Sequence, residues 1–159
     1  MELRPIQVAD NPGAAAVVRQ VMTEFGAVGA GYSIEDPEVD YFYEHYAQPG
    51  HAFFVIEDAG RIVGCGGIAP LKGANDTKLC ELQKMYFYPE LRGQGWGRRL
   101  LEECLEAARS MGYRTMYLET LRSMDRAQAL YQKYGFKALT GPMGDTGHCG
   151  CDAFYALEL

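Results

Sequence analysis

The stretch that most constrains this chain is Tyr88–Gly112, YPELRGQGWGRRLLEECLEAARSMG. A β-rich run, TKLCELQKMYFYP, ends at Pro89, and Gly93, Gly95 and Gly97 follow at alternate positions. A helix begins directly after them. Leu100, Leu101, Cys104, Leu105, Ala108 and Met111 fall at helical spacing and mark its buried face, and Gly112 suits its C-terminal cap. A tight turn needs one glycine or two. A third, with arginines beside it, predicts main chain left open to a bulky ligand. The first N–H groups of a helix have no partner within it and lie at the positive end of its dipole, so the segment reads as an anion cradle. Arg92 and Arg98 could add charge-assisted bonds to a phosphate. With Arg99 they form a local basic cluster in a chain of formal charge −6, a balance that argues against general nucleic-acid binding.

Two familiar phosphate loops do not fit. No Gly-Lys-Ser/Thr closes the segment, and the glycines run G-x-G-x-G rather than G-x-G-x-x-G. The plainer alternative is a glycine-rich turn with solvated arginines.

The remaining elements alternate in type. ELRPIQ reads as a strand, and GAAAVVRQVMTEF as a helix started by Asn11-Pro12. DPEVDYFYEHYAQPG predicts a second helix capped by Asp36, with Pro37 in its first position. HAFFVIEDAGRIVGCGGIAP is a hairpin around Asp58-Ala59-Gly60. YRTMYLET is a strand, DRAQALYQKYG a helix capped by Asp125, and CDAFYALEL a closing strand, with room for one more short strand near Phe136. The order β-α-α-β-β-β-α-β-α-β predicts a mixed α/β fold. A length of 159 residues, 48% apolar and 23% charged, suits one domain, residues 1–159. No run approaches a membrane span, Met1–Arg4 opens no signal peptide, and five scattered cysteines form no disulfide framework. The expectation is a cytoplasmic protein with reduced thiols and no membrane partner.

At two places the sequence resembles the GCN5-related N-acetyltransferases (GNAT). Arg92-Gly93-Gln94-Gly95-Trp96-Gly97 matches their Gln/Arg-x-x-Gly-x-Gly/Ala signature, and YLETLRSMDRAQALYQKYGF looks like their second motif. The resemblance is strong over residues 81–137 and implies a mostly antiparallel sheet splayed between its fourth and fifth strands, flanked by about four helices. It also implies acetyl-CoA as co-substrate, with no metal. The N–H groups of Gln94, Gly95, Gly97 and Arg98 would hold the pyrophosphate, with Gly93 in the same loop. Main-chain atoms of Met85 and Phe87 would meet the acetyl carbonyl and pantetheine. Transfer in this family goes directly to an amine. The family commonly dimerises, so a homodimer is allowed.

Direct transfer needs a neutral amine, a proton for the departing thiolate and donors for an oxyanion. By resemblance Tyr131 takes the acid position; the alternative is a core aromatic. Glu81 stands where some relatives hold a base. It reads equally as a base, direct or through water, and as a structural partner of Lys84 or Arg114. The second motif often has an Asn where this chain has Met124, which leaves that cofactor contact to groups such as Thr120 or Gln128. His148, Cys149 and Cys151 offer too few ligands for a structural metal site, though His148 could line the acceptor pocket.

Tyr32, Tyr41, Tyr43 and Tyr46, with Glu35, Asp36, Glu38 and Asp40, could form an aromatic, acidic mouth for a cationic amine, or simply a solvated helix. The expected acceptor is a small-molecule amine or amino acid. The alternatives are a protein lysine or N-terminus, a non-catalytic acyl-CoA-binding module, and a nucleotide-binding domain that the glycine spacing disfavours.

Overall fold

A computed structural model describes all 159 residues. Seven strands form one sheet in the order β1-β2-β3-β4-β5-β7-β6. They are β1 (Glu2–Pro5), β2 (Ala52–Asp58), β3 (Arg61–Pro70), β4 (Leu79–Phe87), β5 (Thr115–Thr120), β6 (Lys137–Ala138) and β7 (Ala153–Glu158). Every neighbouring pair is antiparallel except β4 and β5. Four helices flank the sheet: α1 (Asn11–Glu24), α2 (Phe42–Tyr46), α3 (Trp96–Ser110) and α4 (Asp125–Lys133). The apolar faces of α1 and α2 close one core with β2 and β3. Those of α3 and α4 close another around Ile68, Met116 and Leu118.

Three local readings are corrected. The second helix is broken in two. Asp36 precedes a single 3-10 turn, Pro37–Asp40, before α2 begins, and its side chain caps nothing. Instead that side chain turns inward to Lys84 and His148. Met111, expected on the buried face of α3, is 43% exposed, because α3 stops at Ser110 and Gly112 turns the chain at φ +84°. Asp125 is the first residue of α4 and Met124 occupies the cap position. The extra strand near Phe136 is β6.

The feature that positions the site is a fault in β4. Cys65 pairs with Tyr86 and Gly67 with Gln83, so Lys84 and Met85 together oppose Gly66. This is a bulge, and Lys84 takes it at φ +56°, a conformation costly for a side chain. Gly66 is fixed by close approach: a Cβ there would lie 3.0–3.1 Å from Leu100 and the Met85 main chain. On its other side β4 pairs with β5 only at Leu79–Thr115, Cys80–Met116 and Glu81–Tyr117. Beyond Glu81 the strands part while β5 runs on beside β7 to Thr120. The free edge of β4 and the cleft beside it follow from that divergence.

Candidate active site

The glycine loop lies where β4 ends. Gly93 and Gly95 adopt φ +74° and +83°, left-handed values that strain any other residue. Gly95 is the residue before α3 and offers no capping side chain. The first helical bond runs from Arg99 N–H to the Gly95 carbonyl at 3.2 Å. The N–H groups of Trp96, Gly97 and Arg98 are therefore left without helical acceptors. Gly97 differs from the other two: it is helical, and a Cβ there would meet Leu130, Phe87 and Met85 only at 3.4–3.9 Å. A methyl group at Gly97 would sit in ordinary contact with these three side chains, whereas one at Gly95 would meet nothing within 4 Å.

The arginines divide. Arg92 is engaged within the protein, donating to Glu24 at 2.5 and 2.8 Å and to the Phe87 carbonyl at 3.0 and 3.2 Å. It ties the loop to α1 and to the end of β4 rather than standing free for an anion. Arg99 stacks over Trp96 at 4.2 Å, and Arg98 is exposed. Gln94 donates to the Glu90 carbonyl. A cation the sequence reading missed, Arg126 of α4, comes within 3.7 Å of where a Gly93 side chain would begin. Gln128 donates to the Leu121 and Arg122 carbonyls and accepts from Tyr155. Thr120 faces the Met124 sulfur. Neither is a spare polar group in place of the missing Asn.

Where β4 and β5 part there is a cavity of about 40 Å³, room for about three waters or an amine head group. Glu81, Glu119, His148, Lys84, Tyr32 and Cys151 are among its lining residues. Glu81 is 3% exposed and accepts a hydrogen bond from Gln83, which in turn accepts one from Tyr46. No pair with Lys84 or Arg114 holds it. Burial pushes its carboxyl up to about 7; the Gln83 hydrogen bond pulls against this, and the nearby Glu119 charge adds a lesser upward push. Glu119 accepts from Tyr117 at 2.8 Å and from Thr146 at 2.9 Å.

Lys84 joins the cavity to the segment carrying Asp36 and Glu38. Its ammonium, with a side chain 1% exposed, lies 2.5 Å from Asp36 and 3.6 Å from Glu38. His148 Nε2 lies 2.9 Å from Asp36, and its Nδ1 is 4.0 Å from Glu119. Burial alone would lower the imidazole, but the Asp36 bond and charge outweigh it and hold His148 above its usual value. Burial likewise opposes ionisation of Asp36, yet the His148 and Lys84 contacts keep that carboxyl low. The tyrosine mouth divides as well: Tyr32 lines the cavity and Tyr46 reaches Gln83, whereas Tyr41 and Tyr43 are exposed and Asp40 pairs with Arg19 at the surface.

A Glu81 oxygen, a Glu119 oxygen and a His148 nitrogen lie within 4.8 Å of one another, and these are the side chains that could hold a metal ion. The cysteines are not part of that group. Cys149 is exposed, and Cys151 is partly buried at the cavity wall with its thiol pushed up to about 12 by burial.

Tyr131 stands apart from the cavity. It packs 5.7 Å from Phe136 and 6.3 Å from Tyr155 of β7, with Tyr86 of β4 and Cys104 of α3 as electrostatic neighbours. It therefore draws its surroundings from both sides of the split. Burial raises its phenol well above the usual tyrosine value. Its hydroxyl is not a sealed, unpartnered atom.

A sheet split at a bulged strand, beside a glycine loop that opens a helix, is the frame of an acyl-CoA-dependent transferase. The model of the GNAT acetyltransferase family matches residues 16–136. The chain is 44% identical over 158 residues to the uncharacterized N-acetyltransferase YjgM of Escherichia coli, a match spanning 99% of this chain and 94% of that protein. Its fold is similar to that of a ribosomal-protein-alanine N-acetyltransferase from Brucella melitensis, at TM-score 0.79, 23% identity and full coverage of both chains. It is also similar to Salmonella typhimurium yncA, solved with acetyl-CoA, at TM-score 0.77 and 22% identity over 99% of this chain and 93% of that one. The chain belongs to the GNAT family and is an N-acetyltransferase. No helix is long and apolar enough to cross a membrane.

Proposed function

We propose that the protein transfers the acetyl group of acetyl-CoA directly to the primary amine of a small molecule or amino acid. The observation that carries this reading is the cavity at the split: Glu81 and Glu119 line it with one lysine and one histidine, and behind these Asp36 pairs with both Lys84 and His148 while Glu38 pairs with Lys84. Such an excess of carboxyl groups attracts a cationic amine and can take its proton. The volume, about 40 Å³, favours a slender head group over a folded protein surface.

In this reading the co-substrate's pyrophosphate sits on the open N–H groups from Gln94 to Arg98, and its arm runs along the free edge of β4 past Phe87 and Met85. The amine enters from the cavity and loses a proton to Glu81, directly or through one water. Its lone pair attacks the thioester carbon. Main-chain donors at the bulge stabilise the oxyanion. As the C–S bond breaks, Tyr131 donates its proton to the thiolate, and the second proton that the nitrogen sheds as it becomes an amide returns through water to the phenolate, leaving the one proton on Glu81 as the net product.

Turnover of acetyl-CoA against polyamines, amino acids, aminoglycosides and lysine peptides, read by mass spectrometry, tests the class and acceptor together. One small amine acetylated at a saturable rate is the expected result. Product only on peptides would move the acceptor to protein. Acetyl-CoA binding without any product would favour a non-catalytic module.

The cradle has its own test. Gly97→Ala places a better helix former where a methyl group fits, so unfolding stability should rise by about 0.5 kcal/mol. The same methyl group adds bulk in the first turn beside Phe87 and Met85, where the acetyl-CoA arm would run, and acetyl-CoA should bind about tenfold more weakly, a loss equivalent to about 1.4 kcal/mol. Denaturant unfolding and calorimetric titration separate the two effects. Unchanged affinity would remove Gly97 from the site.

A further inference from the structure

We propose that His148 is a proton relay, carrying the amine's proton from Glu81 to solvent while Asp36 holds its ring in place. This rests on the acetyl-transfer reading and adds to it a residue with a defined role.

A base that is 3% exposed has an unloading problem. After each turnover Glu81 holds a proton that must leave before the next amine can react. Its direct partner, the Gln83 amide, cannot pass a proton on at neutral pH. The Glu119 side chain is only 4% exposed, and its oxygens already accept from Tyr117 and Thr146. Lys84 is held by Asp36 and Glu38 and has no acceptor to offer. His148 alone in the cluster has two ring nitrogens, one that can accept while the other donates.

The ring is set for that use. Nε2 is on Asp36 at 2.9 Å, and Nδ1 looks back toward Glu119 at 4.0 Å. Glu81, Glu119 and the ring come within 4.8 Å of one another. One water making two hydrogen bonds at a tetrahedral angle spans about 4.6 Å, and the cavity has room for it. On the outer side, Asp36 and His148 keep 20% and 13% of their side-chain surface exposed. The proton passes from the Glu81 carboxyl through water to Nδ1, and a proton leaves from Nε2 through Asp36 to solvent. Uptake of one proton from water at Nε2 and loss of the one on Nδ1 restore the starting tautomer. Glu81 returns to a carboxylate and no carbon bond changes. The charged groups facing the ring are Asp36 from the segment before α2, Glu119 from β5, and Lys84 and Glu81 from β4.

The test uses His148→Ala and His148→Gln in the full chain with saturating amine. EDTA is present because the same side chains could hold a divalent cation. Both variants should bind acetyl-CoA as wild type does and lose about ten- to a hundredfold in kcat. Added imidazole should restore His148→Ala in a saturable manner and leave wild type unaffected. His148→Gln, which keeps a polar contact to Asp36, should fold normally and still be slow. A wild-type kcat in either folded variant overturns the relay, as does a loss confined to KM or one that imidazole never restores. Absence of wild-type turnover on any amine would overturn the acetyl-transfer reading itself, and the relay with it.

Discussion

Tyr131→Phe is expected to lower kcat by about 10²- to 10⁴-fold, the range a positioned general acid supplies, while acetyl-CoA affinity and thermal stability stay close to wild type. The phenol is buried among Phe136, Tyr155, Tyr86 and Cys104, and burial holds its proton on well above the usual tyrosine range. It is therefore a filled donor across any ordinary assay pH. The dry surroundings that raise the phenol also disfavour a bare thiolate, so donor and leaving group move together. The hydroxyl is not among sealed polar atoms, and removing it should leave no orphaned partner. The stability change should stay within about 0.5 kcal/mol. The proportion between the two losses is what identifies the role: an acid acts on thiolate departure, so kcat and kcat/KM should fall together. A variant with normal kcat would return Tyr131 to the core, and Tyr86, its neighbour on β4, would become the phenol to test. A variant that binds normally beside a wild type with no turnover would favour the binding-module reading.

The parts of this molecule that sequence reading reached are those set by local rules. Gly93 and Gly95 announce positive φ, α3 announces itself by spacing, and Phe136 precedes a real short strand. The parts it missed depend on partners far along the chain. Asp36 looks like a helix cap because Pro37 follows it, yet a buried ammonium 48 residues away takes its carboxylate. Arg92 looks free beside the glycines, but Glu24, 68 residues earlier, claims it. Glu119 sits in an ordinary strand pattern, and only the fold brings it against Glu81 and His148. One signal in the sequence is that a glycine inside a strand often marks a bulge, and Gly66 stands opposite the one in β4, just beyond the point where β4 and β5 part.

Glu81→Gln should separate the base from the scaffold. The variant keeps an acceptor for Gln83 and nearly the same volume, but it cannot take a proton. Activity should fall by about 10²- to 10⁴-fold, and the rise in kcat/KM expected of the wild type as Glu81 ionises near pH 7 should be absent. Stability should move the other way. A carboxyl raised from 4.5 to about 7 on folding binds more protons in the native state than in the unfolded chain between those values. Native Glu81 therefore costs stability as pH rises from 4.5 to 7, with the full cost present above 7. Glutamine removes this, so the variant should be the more stable protein at pH 8 and gain little or nothing at pH 4. Denaturant midpoints at the two pH values, measured beside the rate profile, distinguish the cases. A structural carboxylate would lose stability on substitution and leave the rate's pH dependence intact. A buried base gains stability and loses the rate.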